Sequence, residues 1–119
     1  MLLVLGASAW PLAPKLPSSP VFEQSAADIV AYFTDPKLFG LPSDDGHVLN
    51  LFNRNGAPNA INGTLSRWLQ DKQERAANAG RPMRDLIVYY VGHGGFTPVE
   101  QAYFLALPQL KKATKAFLA

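Results

Sequence analysis

Asp85-Leu-Ile-Val-Tyr-Tyr-Val-Gly-His-Gly-Gly-Phe96 decides the fold. Six consecutive apolar or aromatic residues, Leu86 to Val91, run between a charged start and a glycine-rich break. A run of this length, rich in β-branched and aromatic side chains and closed by Gly, predicts a strand buried on both faces, the usual state inside a parallel sheet. His93 then falls just past the carboxyl end of a core strand. In open α/β sheets that rim carries ligands and reacting groups, because the loops there leave a crevice that the packed interior lacks.

Outward from this strand the chain alternates. Leu2-Leu-Val-Leu5 followed by Gly6-Ala-Ser8 reads as a short buried strand ending in small residues. Trp10 to Pro20 holds four prolines and two serines and is a loop. Ser19 then Pro20 is a helix start, and Phe22, Ala26, Ile29, Val30 and Phe33 share one face at helical spacing until Pro36 ends the helix. Val48-Leu-Asn-Leu-Phe52 is a second strand. Pro58-Asn59 opens a second helix with Ile61, Leu65, Trp68, Leu69 and Ala76 inward and an Asp71/Arg75 pair outward; Gly80 caps it and Pro82 stops it. Tyr103 to Leu107 is a further extended piece. Leu110, Ala113, Thr114, Phe117 and Leu118 form the apolar side of a last helix, opposite a solvated face of Lys111, Lys112 and Lys115.

This order predicts an α/β fold, a doubly wound, mainly parallel sheet with helices on both faces and strand order 2-1-3. One domain spanning residues 1–119 is expected, since a chain of this length buries roughly two thirds of its unfolded surface. Strand three would lie at an edge of the sheet. A long apolar edge is normally covered or paired, so a further strand, a homo-oligomeric copy or a partner chain is expected against residues 86–91.

Composition narrows the chemistry. Apolar residues make up 48% and charged residues 17%, which excludes a disordered or fibrous chain. The net charge is +2, with two basic and five acidic groups in residues 1–53 and nine basic and four acidic groups after them. No dense basic cluster interleaved with aromatics argues for nucleic acid. Cysteine is absent, so no thiol chemistry or disulfide resides in these residues. No apolar run approaches the 18 or so residues of a membrane span, and Met1 to Ala9 lacks the basic start of a signal peptide. A cytoplasmic protein without membrane attachment is expected.

Gly92, Gly94 and Gly95 remove side chains from around His93. An imidazole beside exposed amides suits acyl transfer, with the ring as base and then acid and the Gly94 N–H aimed at a developing oxyanion. His47 precedes strand two, at the opposite end of a parallel sheet, so no metal site shared with His93 is expected. Asp44-Asp45-Gly46 reads as a turn, not a calcium loop. Gly6-Ala-Ser8 matches no phosphate or dinucleotide fingerprint, and no cofactor is expected.

The strand with Tyr-Tyr-Val-Gly-His-Gly-Gly-Phe96, followed by Tyr103-Phe-Leu-Ala-Leu107, resembles the histidine half of the caspase-like cysteine peptidases, especially prokaryotic ones related to metacaspases. The segments Leu2 to Ser8, Pro14-Lys-Leu-Pro-Ser18, Ser25-Ala-Ala-Asp28, Phe39-Gly-Leu-Pro42 and Val48 to Phe52 follow that family's order. The resemblance implies a caspase-hemoglobinase-like fold, His93 as the catalytic histidine, Gly94 as one oxyanion amide, and a peptide or protein substrate. The family's nucleophile is a cysteine about 50 residues after the histidine, which would lie beyond Ala119. The resemblance therefore implies the amino-terminal part of a peptidase domain, truncated before the cysteine strand and inactive alone. A non-catalytic interaction module or paired subunit of the same fold is the alternative. A serine esterase with a His-Gly-Gly oxyanion loop is a rival, but no Gly-x-Ser-x-Gly elbow accompanies it.

Overall fold

A computed structural model describes residues 1–44, 46–81 and 85–110. Among the described residues the fold is mixed α/β: three parallel strands and two helices, with a separate two-stranded hairpin. The strands are β1 (Leu2–Gly6), β2 (Val48–Asn50) and β3 (Ile87–Val91), in spatial order β2-β1-β3. Leu2 aligns with both Val48 and Ile87, and at the far end Gly6 aligns with Val91.

All five residues of β1 are buried. Successive side chains of a strand point to opposite faces, so β1 feeds two cores. Leu2 and Val4 pack against helix α1 (Pro20–Thr34) through Ala26, Ile29, Val30 and Phe33. Leu3 and Leu5 pack on the other face with Ile61 and Leu65 of helix α2 (Pro58–Asn78) and with Leu107. Full burial of each aliphatic side chain contributes about 1.5–3 kcal/mol. Both helices begin as the sequence predicts. Ser19 caps α1, its hydroxyl accepting from the Val21 N–H at 3.2 Å, and Pro20 occupies the first turn. Pro58 opens α2 without a side-chain cap.

The observed strands depart from expectation in three places. β3 is not buried on both faces: Leu86 is 37% and Val88 55% exposed. It is an edge strand, unpaired on its outer side among the described residues, and the helix over the Val88 face joins the buried cluster through Ile61 and Leu65 of its first two turns. β2 is shorter than expected as a regular strand, although the Leu51 and Asn53 N–H groups still donate to Val4 and Gly6 of β1 before Asn53 turns left-handed (φ 58°). The glycine-rich segment after His93, expected as loop, is a strand. β4 (Gly94–Phe96) pairs antiparallel with β5 (Tyr103–Leu105). Pro82 and most of the last helix, including its lysine face, lie outside the described residues.

Along α2 the expected inward stripe holds through Ala76, with Ile61 fully buried and Leu65, Trp68, Leu69 and Ala76 half-buried. The Asp71–Arg75 pair does form, Nε to Oδ2 at 3.1 Å.

One residue limits how closely β1 and β3 can approach. Gly6 adopts φ 132°, and a Cβ there would lie 1.8 Å from the Val91 carbonyl oxygen. Gly6→Ala should therefore push the strands apart at the His93 end and destabilise the fold by about 2–4 kcal/mol. Urea unfolding checks this: a loss under about 0.5 kcal/mol would mean the contact relaxes at little expense.

Candidate functional site

The loop Ala7–Ser19 leaves β1 and returns toward the carboxyl ends of the strands. There Ala7, Trp10, Phe104, Ala106 and Leu110 form a third buried cluster that Leu16 and Phe22 flank. His93 stands beside it. Its ring is half-buried, against Trp10 at 4.6 Å between centroids and 51°, and edge-to-face with Phe22 at 5.2 Å and 86°. The flanking glycines thus do not leave the ring bare. They let the backbone pass close: Gly92 takes φ 150°, and a Cβ there would meet the Tyr90 hydroxyl at 2.8 Å and the Trp10 ring at 3.2 Å.

His93 Nε2 lies 2.8 Å from the Pro17 carbonyl oxygen. A carbonyl only accepts, so Nε2 carries the proton and donates. In the neutral ring Nδ1 is then the basic nitrogen, and it has no hydrogen-bond partner among the described residues. The bond holds the imidazole in one tautomer and one orientation.

Gly94 follows immediately. The Ala106 N–H donates to the His93 carbonyl at 2.9 Å, and the Thr97 N–H donates to Ala102 at 2.8 Å. Antiparallel pairing alternates bonded and non-bonded pairs, so His93, Gly95 and Thr97 face β5, while the Gly94 N–H and C=O point the other way. Gly94 is exposed, and its amide is directed to the open side of the hairpin. Tyr103 leans over its other surface, with the hydroxyl 2.4 Å from where a Cβ would sit.

Tyr90 ties this arrangement to the sheet. Its hydroxyl lies 2.7 Å from the His93 carbonyl and 2.8 Å from the Ala106 carbonyl, sharing one proton between the two strands of the hairpin. Burial is the main reason its pKa rises well above the tyrosine norm; the Ala106 bond opposes the rise and nearby Tyr103 adds to it. Neither Tyr90 nor the Pro17 carbonyl carries a signal in the sequence. Tyr90 reads as one more apolar strand residue, and a backbone acceptor has no residue identity. Trp10 Nε1 is buried without a partner among the described residues.

His47 lies at the other end of the sheet, its carbonyl accepting from Leu2 N–H at 2.8 Å. It is not brought to His93. Among the described residues no group of three or more His, Asp or Glu side chains could hold a metal ion. No helix among the described residues is long and apolar enough to cross a membrane.

Tyr90→Phe should lower stability by about 1–2 kcal/mol, the worth of a desolvated hydroxyl with carbonyl partners. A raised folded pKa means that the neutral hydroxyl's contribution is complete below about pH 10 and falls as pH rises further, when the unfolded chain ionises first. Urea unfolding of the parent chain should therefore weaken more than that of Tyr90→Phe between roughly pH 9.5 and 11; parallel curves would contradict the assignment. Comparison with family models, curated proteins and solved structures found no match.

Proposed function

We propose that the chain is the histidine-bearing part of a caspase-like cysteine endopeptidase, with His93 as the acid–base residue and Gly94 as a donor to the oxyanion. One observation carries this reading. The Pro17 carbonyl holds the proton on Nε2, leaving Nδ1 as base, while the adjacent Gly94 amide is directed off the β4–β5 ladder. Acyl transfer needs such a pair, a base for the nucleophile and a donor for the charge that develops on the carbonyl oxygen.

In the complete site a thiol supplied by a cysteine-bearing segment gives its proton to Nδ1 and attacks the peptide carbonyl. The Gly94 N–H stabilises the tetrahedral oxyanion. Collapse of that intermediate expels the amine, which takes the proton from the imidazolium, and water then hydrolyses the thioester. The unpaired outer edge of β3 supports the reading: a strand added there would end beside His93, because β3 ends one residue before Gly92.

The same edge favours a second reading, a non-catalytic module that recruits a partner by strand addition. The two separate by experiment. Peptide-cleavage assays should find no turnover with the 119-residue chain. A chain extended through the next cysteine-bearing segment of its gene should cleave peptides, and His93→Ala should lower kcat by about a thousandfold or more. Turnover by the short chain that vanishes in His93→Ala would overturn the need for a cysteine nucleophile, and an extended enzyme indifferent to that change would overturn the role of His93.

An open apolar edge also predicts self-association. Light scattering of the short chain should show apparent mass rising with concentration, and Val88→Lys should suppress the rise. A parent chain that stays monomeric at every concentration would argue against strand addition.

A further inference from the structure

At the end of the sheet opposite His93, the turn before β2 faces the last turns of α2. Between them lies an open cavity of about 660 Å3 whose lining includes Asp44, Gly46, His47, Lys72, Arg75 and Arg81. This volume is within the usual range for small-molecule sites, about 300–1,000 Å3.

Basic residues near a helix C-terminus commonly do no more than offset the helix dipole and cap its last carbonyls. Here the Arg75, Ala76 and Ala77 carbonyls are already satisfied by backbone. Gly80 N–H donates to Ala77 at 3.1 Å, Arg81 N–H to Ala76 at 2.9 Å and Ala79 N–H to Arg75 at 3.0 Å. That is a Schellman end, in which backbone N–H groups rather than the basic side chains meet these carbonyls.

The carboxylates nearby are also committed. Asp71 is shared, at 3.1 Å from Arg75 Nε and 3.7 Å from Lys72 Nζ. Asp44 Oδ1 accepts from the Gly46 N–H and from His47 Nδ1, each at 2.8 Å. The His47 bond is the chief reason that the Asp44 carboxyl titrates below its ordinary range. Among the described residues, three basic side chains thus meet two carboxylates at the cleft. Arg81 has no ion pair among the described residues. The Lys72 side chain is only 12% exposed, yet its 3.7 Å contact with Asp71 is its one polar interaction there. The ammonium keeps donors without a hydrogen-bond partner among the described residues, and an anion entering the cleft would accept from them.

We propose that this cleft binds a small phosphorylated anion, with Lys72, Arg75 and Arg81 as donors to the phosphate oxygens. Phosphate fits better than a lone carboxylate, because the donors converge from α2 and from the segment after it, and a multi-oxygen anion can meet several of them at once. The site is independent of His93 and of the peptidase reading. Nothing in it requires a cysteine-bearing segment.

Calorimetric titration of the full chain with inorganic tripolyphosphate at fixed ionic strength tests the proposal. Saturable binding is expected, weakened about tenfold or more by Lys72→Gln and by Arg75→Gln, the loss of one charge-assisted contact each. Lys37→Gln, a change to an exposed residue outside the cleft, should leave the affinity unchanged. Arg75 is 71% exposed at its side chain, so Arg75→Gln remains informative if Lys72→Gln folds poorly. A nucleoside triphosphate that binds like tripolyphosphate assigns the site to the phosphate chain alone, and a tighter one assigns part of the cavity to the nucleoside; either supports the proposal. No saturable heat, or equal weakening by all three variants, would overturn it.

Discussion

The carboxyl end of the sheet depends on how closely β1 and β3 approach where they finish. Gly6 aligns with Val91, and the Val91 carbonyl occupies the space that a side chain on residue 6 would need. The Ala7 N–H then reaches that same carbonyl at 3.2 Å, drawing the chain after β1 along the end of β3. Gly92 and His93 follow from there. If the strands splayed, the Trp10 loop and the histidine would lose their common platform.

Upon that platform the rim is assembled from contacts between distant segments. The Pro17 carbonyl meets a ring 76 residues later in the chain. Trp10 and Phe22 close around the same ring, and Tyr90 holds the two hairpin carbonyls on its far side. Such a rim is rigid for its size because each component is fixed by another. Ser8 and Asn53 add a polar clasp beyond the ends of β1 and β2, Ser8 N–H to Asn53 Oδ1 at 2.8 Å.

Much of the sheet was legible because its signals are local. Four apolar residues before Gly6 mark β1, Ser19-Pro20 marks the start of α1, and alternation of strand and helix predicts the observed 2-1-3 order. Position of His93 at the strand end follows from the same pattern. What was not legible depends on partners remote in sequence. Gly94 to Phe96 has the composition of a loop and becomes a strand only because Tyr103 to Leu105 pairs with it. Val88 has the character of a core residue, but β3 is the edge and α2 packs on the sheet chiefly through Ile61 and Leu65, so it stays exposed. The Pro17 acceptor and the Trp10–Phe22 enclosure of His93 are tertiary facts without a residue pattern.

The account turns on which nitrogen of His93 bears the proton. Acyl transfer by this ring requires a free, basic Nδ1, and the bond to Pro17 supplies it by keeping the proton on Nε2. Long-range 15N-edited NMR of the ring, at a pH where the imidazole is neutral, reads the tautomer directly. The expected spectrum has a single tautomer with the proton on Nε2 and an unprotonated Nδ1. A proton on Nδ1, or a ring averaging between both forms, would contradict the account.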